Sequence, residues 1–182
     1  MEKCMKNIFR ITVLVSLALL LIGTIPGRTL NAQSLFSCSV KGKTFTGNIQ
    51  DAELVTMNKE KVIQLKIADG SKMMYLYLKT SKIKTVPATL KYFEHDPAKG
   101  VSPESEIIWV PDGPDNPQWN SVDGEVVVTL FDSAKKTISG TFDFKVEKFE
   151  YTSDENKERP SMQITDGKFT NITYKEALAQ GK

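Results

Sequence analysis

"VIQLKIADGSKMMYLYL", Val62–Leu78, carries two runs of alternating side chains on either side of an Asp-Gly pair. Ile63, Leu65 and Ile67 alternate with Gln64, Lys66 and Ala68, and Met74, Leu76 and Leu78 alternate with Tyr75 and Tyr77. A period of two is the signature of strands that bury one face. Asp-Gly suits a two-residue turn with positive φ at both positions. With Asp69-Gly70 as the turn, Ala68 faces Ser71, so Leu65 is expected opposite Met74 and Ile63 opposite Leu76. A slip of one residue would set the apolar face of one strand against the polar face of the other.

"GEVVVTLFDSAKKTISGTFDF", Gly124–Phe144, repeats the argument. A three-residue loop, Ser133-Ala134-Lys135, pairs Leu130 with Ile138 and Val126 with Phe142. It sets Gly140 opposite Val128, where the missing side chain admits a bend or a bulky neighbour. Ile138, Phe142, Phe144 and Val146 share a face, while Phe149 and Tyr151 fall out of phase, which predicts a bulge near Glu147-Lys148. "VVVTLF" is apolar on both faces and reads as a central strand covered on both sides.

Further strands are expected at Ala52–Met57, Met162–Thr165 and Lys168–Tyr174, with strand-like runs around Cys38 and in "EIIWV". "PATLKYFEHD" fits a strand or a single helical turn. Tyr151–Met162, charged and closed by Pro160, reads as a solvated hairpin tip with a disordered centre. The fold expected is all-β: an antiparallel sandwich or partly closed barrel of about eight to ten strands.

The chain begins differently. Lys3, Lys6 and Arg10 precede an apolar run from Ile11 to Ile25, broken by Pro26-Gly27 and followed by Leu30-Asn31-Ala32. This is the order of a secretory signal peptide, and about fifteen apolar residues are too few to span a bilayer. Cleavage is expected between Ala32 and Gln33. The organisation expected is therefore a signal peptide at 1–32, one β-domain at 33–174 and a fraying tail at 175–182. Neither Cys4 nor Cys38 has the setting of a lipidation cysteine.

Loss of residues 1–32 removes Lys3, Lys6, Arg10, Arg28 and Glu2, so 24 basic and 22 acidic residues become 20 and 21. A chain near neutrality with interspersed charge has no field to hold nucleic acid, nor an anionic membrane once the signal is gone. Cys38 then stands without a second cysteine, so no internal disulfide is expected. It alternates with Ser37 and Ser39 and should point into the core.

The stretch from Gly124 to Tyr174 resembles small exported β-domain proteins of Bacteroidetes. Their recurring pattern is a Gly-led strand, an Asp-containing turn, "ISGTFxF" and then "GKFTNI". Gly124, Asp132, Ile138–Phe144 and Ile164–Ile172 match it here. The resemblance implies an exported β-domain and carries over no activity. Many relatives are lipoproteins, from which this chain departs. Asp132-Ser133-Ala134 likewise resembles the O-glycosylation acceptor of such proteins, which marks Ser133 as a modification candidate.

Chemistry is sparse. His95 is the sole histidine and sits in loop sequence, so His-Cys metal sets are excluded, and no Gly-x-Ser-x-Gly context presents a nucleophile. No cofactor is expected and the domain reads as non-catalytic. Asp112, Asp115 and Asn116, with Asp123, offer hard oxygen ligands but match no calcium loop. The ligand-contact candidates lie in "IIWVPDGPDNPQWNS", Ile107–Ser121. Trp109 and Trp119 flank a loop stiffened by prolines, and Asp112, Asp115 and Asn116 are suited to hydroxyl groups. The plainer expectation is that both rings close one end of the barrel; Trp109, which continues an apolar run, should be buried, and Trp119 is the better candidate for contact and would then stand exposed. A glycan, a peptide or an envelope protein is the expected partner. The alternatives are a lipocalin-like barrel carrying a small apolar ligand and a hydrolase using loop carboxylates.

Overall fold

Among the described residues, eleven strands follow one another from Leu35 with almost no other regular structure. They are β1 (Leu35–Val40), β2 (Lys43–Thr46), β3 (Asn48–Met57), β4 (Glu60–Asp69), β5 (Lys72–Lys79), β6 (Ala88–Lys91), β7 (Ser105–Val110), β8 (Trp119–Asp132), β9 (Thr137–Lys148), β10 (Ser161–Thr173) and β11 (Lys175–Glu176). A short 3₁₀ turn, Thr80–Lys82, follows β5. This computed structural model describes residues 35–113, 115–149 and 158–177, all within one compact unit, Gln33–Lys182. The expected signal peptide and its Ala32/Gln33 junction, Pro114, the centre of the charged hairpin tip and the last five residues lie outside the described residues. No helix among the described residues is long and apolar enough to cross a membrane.

All the strands belong to one sheet, in the order β11-β3-β4-β5-β7-β8-β9-β10-β1-β2, with β6 also pairing with β8. Neighbours are antiparallel except β11 on β3. β2 and β3 lie towards opposite ends of that order, yet a single residue, Gly47, separates them in the chain. The sheet therefore curls back on itself into a partly closed barrel rather than stacking as two layers. Gly47 is the corner: a Cβ there would stand 2.3 Å from the Ile67 side chain and 3.0 Å from the Phe45 ring.

The first hairpin keeps its faces but moves its turn. Gly70 and Ser71, not Asp69 and Gly70, are the loop, and Asp69 pairs with Lys72. Gly70 alone of the two has positive φ, at 60°, the combination of a turn that needs glycine first. Leu65 accordingly faces Leu76 and Ile63 faces Leu78, in place of Met74 and Leu76. The slip is two residues, so the side-chain period returns and both apolar faces still point inward. Ile63, Leu65, Ile67, Met74, Leu76 and Leu78 are all completely buried.

In the second hairpin Val126 faces Phe142 and Val128 faces Gly140, as expected. Beyond Val128 the register shifts by one, so Leu130 faces Ser139 and Phe131 faces Ile138. The loop is four residues long, Ser133–Lys136, and ends on Lys136 at φ 53°. The extra residue turns Leu130 outward, where it is 40% exposed. β8 is central, paired with β7 and β6 on one edge and β9 on the other, but only its inner face is covered. No bulge occurs at Glu147-Lys148: β9 runs in register to Lys148, the irregularity lies opposite it between Ser121 and Asp123, and Phe149 follows the strand's end.

Two more local readings change, and one open alternative is decided. Met162–Thr165 and Lys168–Tyr174 merge into one bulged strand, β10, with Asp166 and Asn171 at positive φ, where short polar side chains are best tolerated. The segment at Ala88 is a strand. Lys175–Glu176, expected in a fraying tail, pair with Glu53 and Leu54, and Lys175 lies 3.2 Å from both Asp51 and Glu53.

The barrel axis is filled by rings. Phe169, Phe142, Phe36, Phe45 and Trp109 form a chain whose successive centroids are 6.5, 5.5, 6.4 and 5.0 Å apart. Cys38 lies in this core, 3% exposed, and burial pushes its thiol up to about 12, so the reactive thiolate is suppressed.

Candidate functional site

The loop between the tryptophans leaves β7 at Val110 and returns at Trp119. Trp109 and Trp119 are directly opposite each other on β7 and β8. Both rings are buried, Trp109 at 5% and Trp119 at 9% exposure, which fits rings that close one end of the barrel rather than a Trp119 exposed for contact. The reason is a turn the loop's own sequence does not contain. Lys41 and Gly42, both at positive φ, form the two-residue connection of β1 to β2, and the Lys41 ammonium lies over the Trp119 ring, 5.1 Å from its centroid.

Around this plug is a depression of about 420 Å³ bordered by Asp112, Asn116, Lys41, Lys148 and the two tryptophans. Asn116 Nδ2 donates to the Asp112 carbonyl at 2.7 Å, so its amide holds the loop. Asp115 is exposed and does not border the depression. Asp123 stands apart on β8, opposite Lys145, with its carboxylate accepting the Gly124 N–H. The four oxygen-bearing residues are thus not gathered, and among the described residues no three His, Cys, Asp or Glu side chains are grouped to hold a metal ion.

Ser133 is exposed at the tip of the β8–β9 hairpin. Asp132 accepts the N–H groups of Ala134 and Lys135, at 3.0 and 2.9 Å. These bonds, with Lys135 nearby, hold the Asp132 carboxyl below the usual range. The aspartate of the acceptor-like triplet serves the turn itself.

A larger groove, about 590 Å³, lies on the outer face of the barrel. Its floor is made by strands. Tyr77 of β5 is directly opposite Glu106 of β7, and Val62 and Ile108 extend the same face. Its wall is the segment from Tyr92 to Glu104. Asp96 and Val101 exchange backbone hydrogen bonds at 3.0 and 2.9 Å, and Asp96 also caps the N–H groups of Ala98 and Lys99. At the base, Ser105 donates to the Leu90 carbonyl at 2.7 Å, and the Glu104 N–H donates to the Lys91 carbonyl at 3.0 Å. These bonds join the end of β6 to the start of β7. They present Tyr92, His95 and Ser102 over Tyr77 and Glu106.

Two of the glutamates that line this groove, Glu104 and Glu106, differ. Burial raises Glu104, but the Lys82 ammonium at 2.9 Å and the Lys91 N–H outweigh it, and Glu104 stays below the ordinary range. Burial also raises Glu106, and the field of His95 only partly opposes it, so Glu106 lies above the ordinary range. No described group donates a hydrogen bond to its carboxylate. Burial raises the Tyr77 and Tyr92 hydroxyls too, with the Glu106 charge adding to both. A perturbed carboxyl beside two phenols in a cleft is a site candidate on physical grounds.

Tyr77, Tyr92 and Glu106 were not singled out from the sequence, and His95 was read as an ordinary loop residue. The available signal was Glu106 itself, a carboxylate set inside the apolar run "SEIIWV". The fold and site together define a partly closed all-β barrel with a lateral cleft. Compared with protein-family models, curated proteins and solved structures, the chain matches none of them.

Proposed function

We propose that this chain is an exported, non-catalytic binding domain of the cell envelope or periplasm, and that its ligand is held in the lateral groove. The observation that carries the reading is the groove itself. A strand-built floor, a hydrogen-bonded wall, two tyrosines and one half-buried carboxylate match the usual make-up of small-molecule sites: mostly apolar walls with a few placed polar groups. The ring-filled axis supports a site on the side of the barrel rather than a lipocalin-like interior. The separation of Asp123 from Asp112 supports binding over loop-carboxylate hydrolysis.

Export rests on the basic, apolar and small-residue order of residues 1–32, and the Bacteroidetes resemblance adds to it. Intact-mass measurement of the protein expressed in an envelope-bearing host is expected to show a chain beginning at Gln33. A full-length product embedded in the membrane would contradict it.

The groove is tested by nuclear magnetic resonance of the purified protein against a set of amino acids, amines, sugars and short peptides. Binding compounds are expected to move the resonances of Tyr77, Tyr92 and His95. The depression beside Lys41 and Trp119 is the second reading, favoured by the ammonium-on-ring contact and the polar rim. Movement confined to Lys41 and Trp119 would select it and reject the groove.

A further inference from the structure

We propose that the lateral groove recognises a primary alkylammonium group, seated on the Glu106 carboxylate between the rings of Tyr77 and Tyr92. This inference rests on the reading of the groove as the binding site and adds the chemistry of what enters it.

Charge pairing around the groove is the first argument. Lys82 is held by Glu104 at 2.9 Å and Lys99 by Asp96 at 2.8 Å, while the Lys79 ammonium donates to Ser102 Oγ. Lys82 and Lys99 are thus paired with other carboxylates, and Lys79 is hydrogen-bonded within the groove wall to a neutral hydroxyl. Glu106 is left as a half-buried anion with no described hydrogen-bond donor. A buried charge without a partner is costly, and a cation brought by a ligand removes that cost.

The second argument is the rings. Tyr77 is directly opposite Glu106 across the β5–β7 pair, where facing Cβ atoms are about 5 Å apart. Tyr92 reaches the groove from the wall. The faces of aromatic rings attract cations, most strongly where water is excluded, and a carboxylate beside two such rings is the combination that selects an ammonium over a neutral group.

Third, the remaining carboxylates of the rim, Glu60 and Glu104, repel an anionic ligand. Lys79 and His95 are the groove's own basic groups, and the first is committed to Ser102. The elevation of Glu106 by burial agrees with this picture, since burial disfavours a charge that a cation beside it would stabilise.

Alkylammonium groups come from two sources, free amines and lysine side chains. Isothermal titration of the purified protein distinguishes them with cadaverine and N-acetyl-lysine methylamide, each set against a neutral counterpart, pentanol and N-acetyl-norleucine methylamide. At least one ammonium compound is expected to bind tenfold or more tightly than its counterpart, and the tighter of the two identifies the source. Glu106→Gln should weaken that binding by about tenfold or more. Glu125→Gln, an exposed carboxylate on β8 away from the groove, should leave it unchanged. If Glu106→Gln does not fold, Tyr92→Leu in the wall is the second variant, with a loss of similar size expected.

Equal binding of neutral and ammonium compounds, or full affinity in Glu106→Gln, overturns the proposal. If sugars or neutral peptides move Tyr77, Tyr92 and His95 while the amines do not bind, the cation assignment fails and the groove stands. If nothing moves those residues, the groove reading itself has failed.

Discussion

Trp119→Ala is expected to lower the free energy of unfolding by about 3–5 kcal/mol, the range for removing a core aromatic. For a domain of this size that is a fall in melting temperature on the order of 10 °C. The ring is 9% exposed, lies directly opposite Trp109, and has the Lys41 ammonium over its face. Lys41→Ala should cost far less, about 0.5–1 kcal/mol, because it removes the cation–ring contact and opens no cavity. Thermal and denaturant unfolding of both variants measures the difference. A Trp119→Ala protein that melts like the parent would show that the ring adds nothing to the core, and would return ligand contact to the barrel end.

The second large effect is at the barrel axis. Phe142 stacks on Phe36, is tilted against Phe144, and lies beside Phe169. Phe142→Ala should also cost about 3–5 kcal/mol. Gly167 is the partner that makes the ring possible. The two residues face each other across β9 and β10, and a Cβ at Gly167 would stand 2.4 Å from the ring of Phe142. Gly167→Ala should therefore cost about 1–3 kcal/mol by overpacking. Combined with Phe142→Leu, which makes room, its cost should shrink, giving a double variant more stable than the sum of the single losses predicts. Strict additivity in denaturant unfolding would show that the contact does not limit the packing.

How much of this was legible beforehand depends on the range of the interaction. The Val62–Leu78 alternation identified two strands and their inner faces, because side chains on a strand alternate whatever it pairs with. The turn lies one residue later than expected, which moves the register by two, because Asp-Gly and Gly-Ser are both competent turns. The choice falls to pairing that includes Asp69 with Lys72. Leu130 was placed inside because the alternation was carried through an unseen shift after Val128. Gly140 was read as room for a large neighbour, and the Phe169 ring fills it: a Cβ there would come within 2.6 Å of that ring. Which ring would come, and from β10, was not written locally.

The candidate sites divide in the same way. Asp112, Asn116, Trp109 and Trp119 do border one depression, since they share one short loop and its two ends. Which group would lie over Trp119 was not legible, because Lys41 comes from 78 residues earlier in the chain. The lateral groove was missed altogether. Tyr77, Tyr92 and Glu106 belong to β5, a loop wall and β7, and only Glu106, a carboxylate in an apolar run, is unusual in its own stretch.

By itself, then, the order of residues determined the strand character of the domain, the inward side chains of most strands and the burial of Cys38. These depend on alternation and composition, which act within a few residues. Tertiary structure alone decided that the sheet curls into one barrel through the Gly47 corner, that Lys41 closes over Trp119, and that Glu106 faces Tyr77 with no described hydrogen-bond donor. Each depends on which strand lies beside which, and that is set by the summed burial of many side chains far apart in the chain.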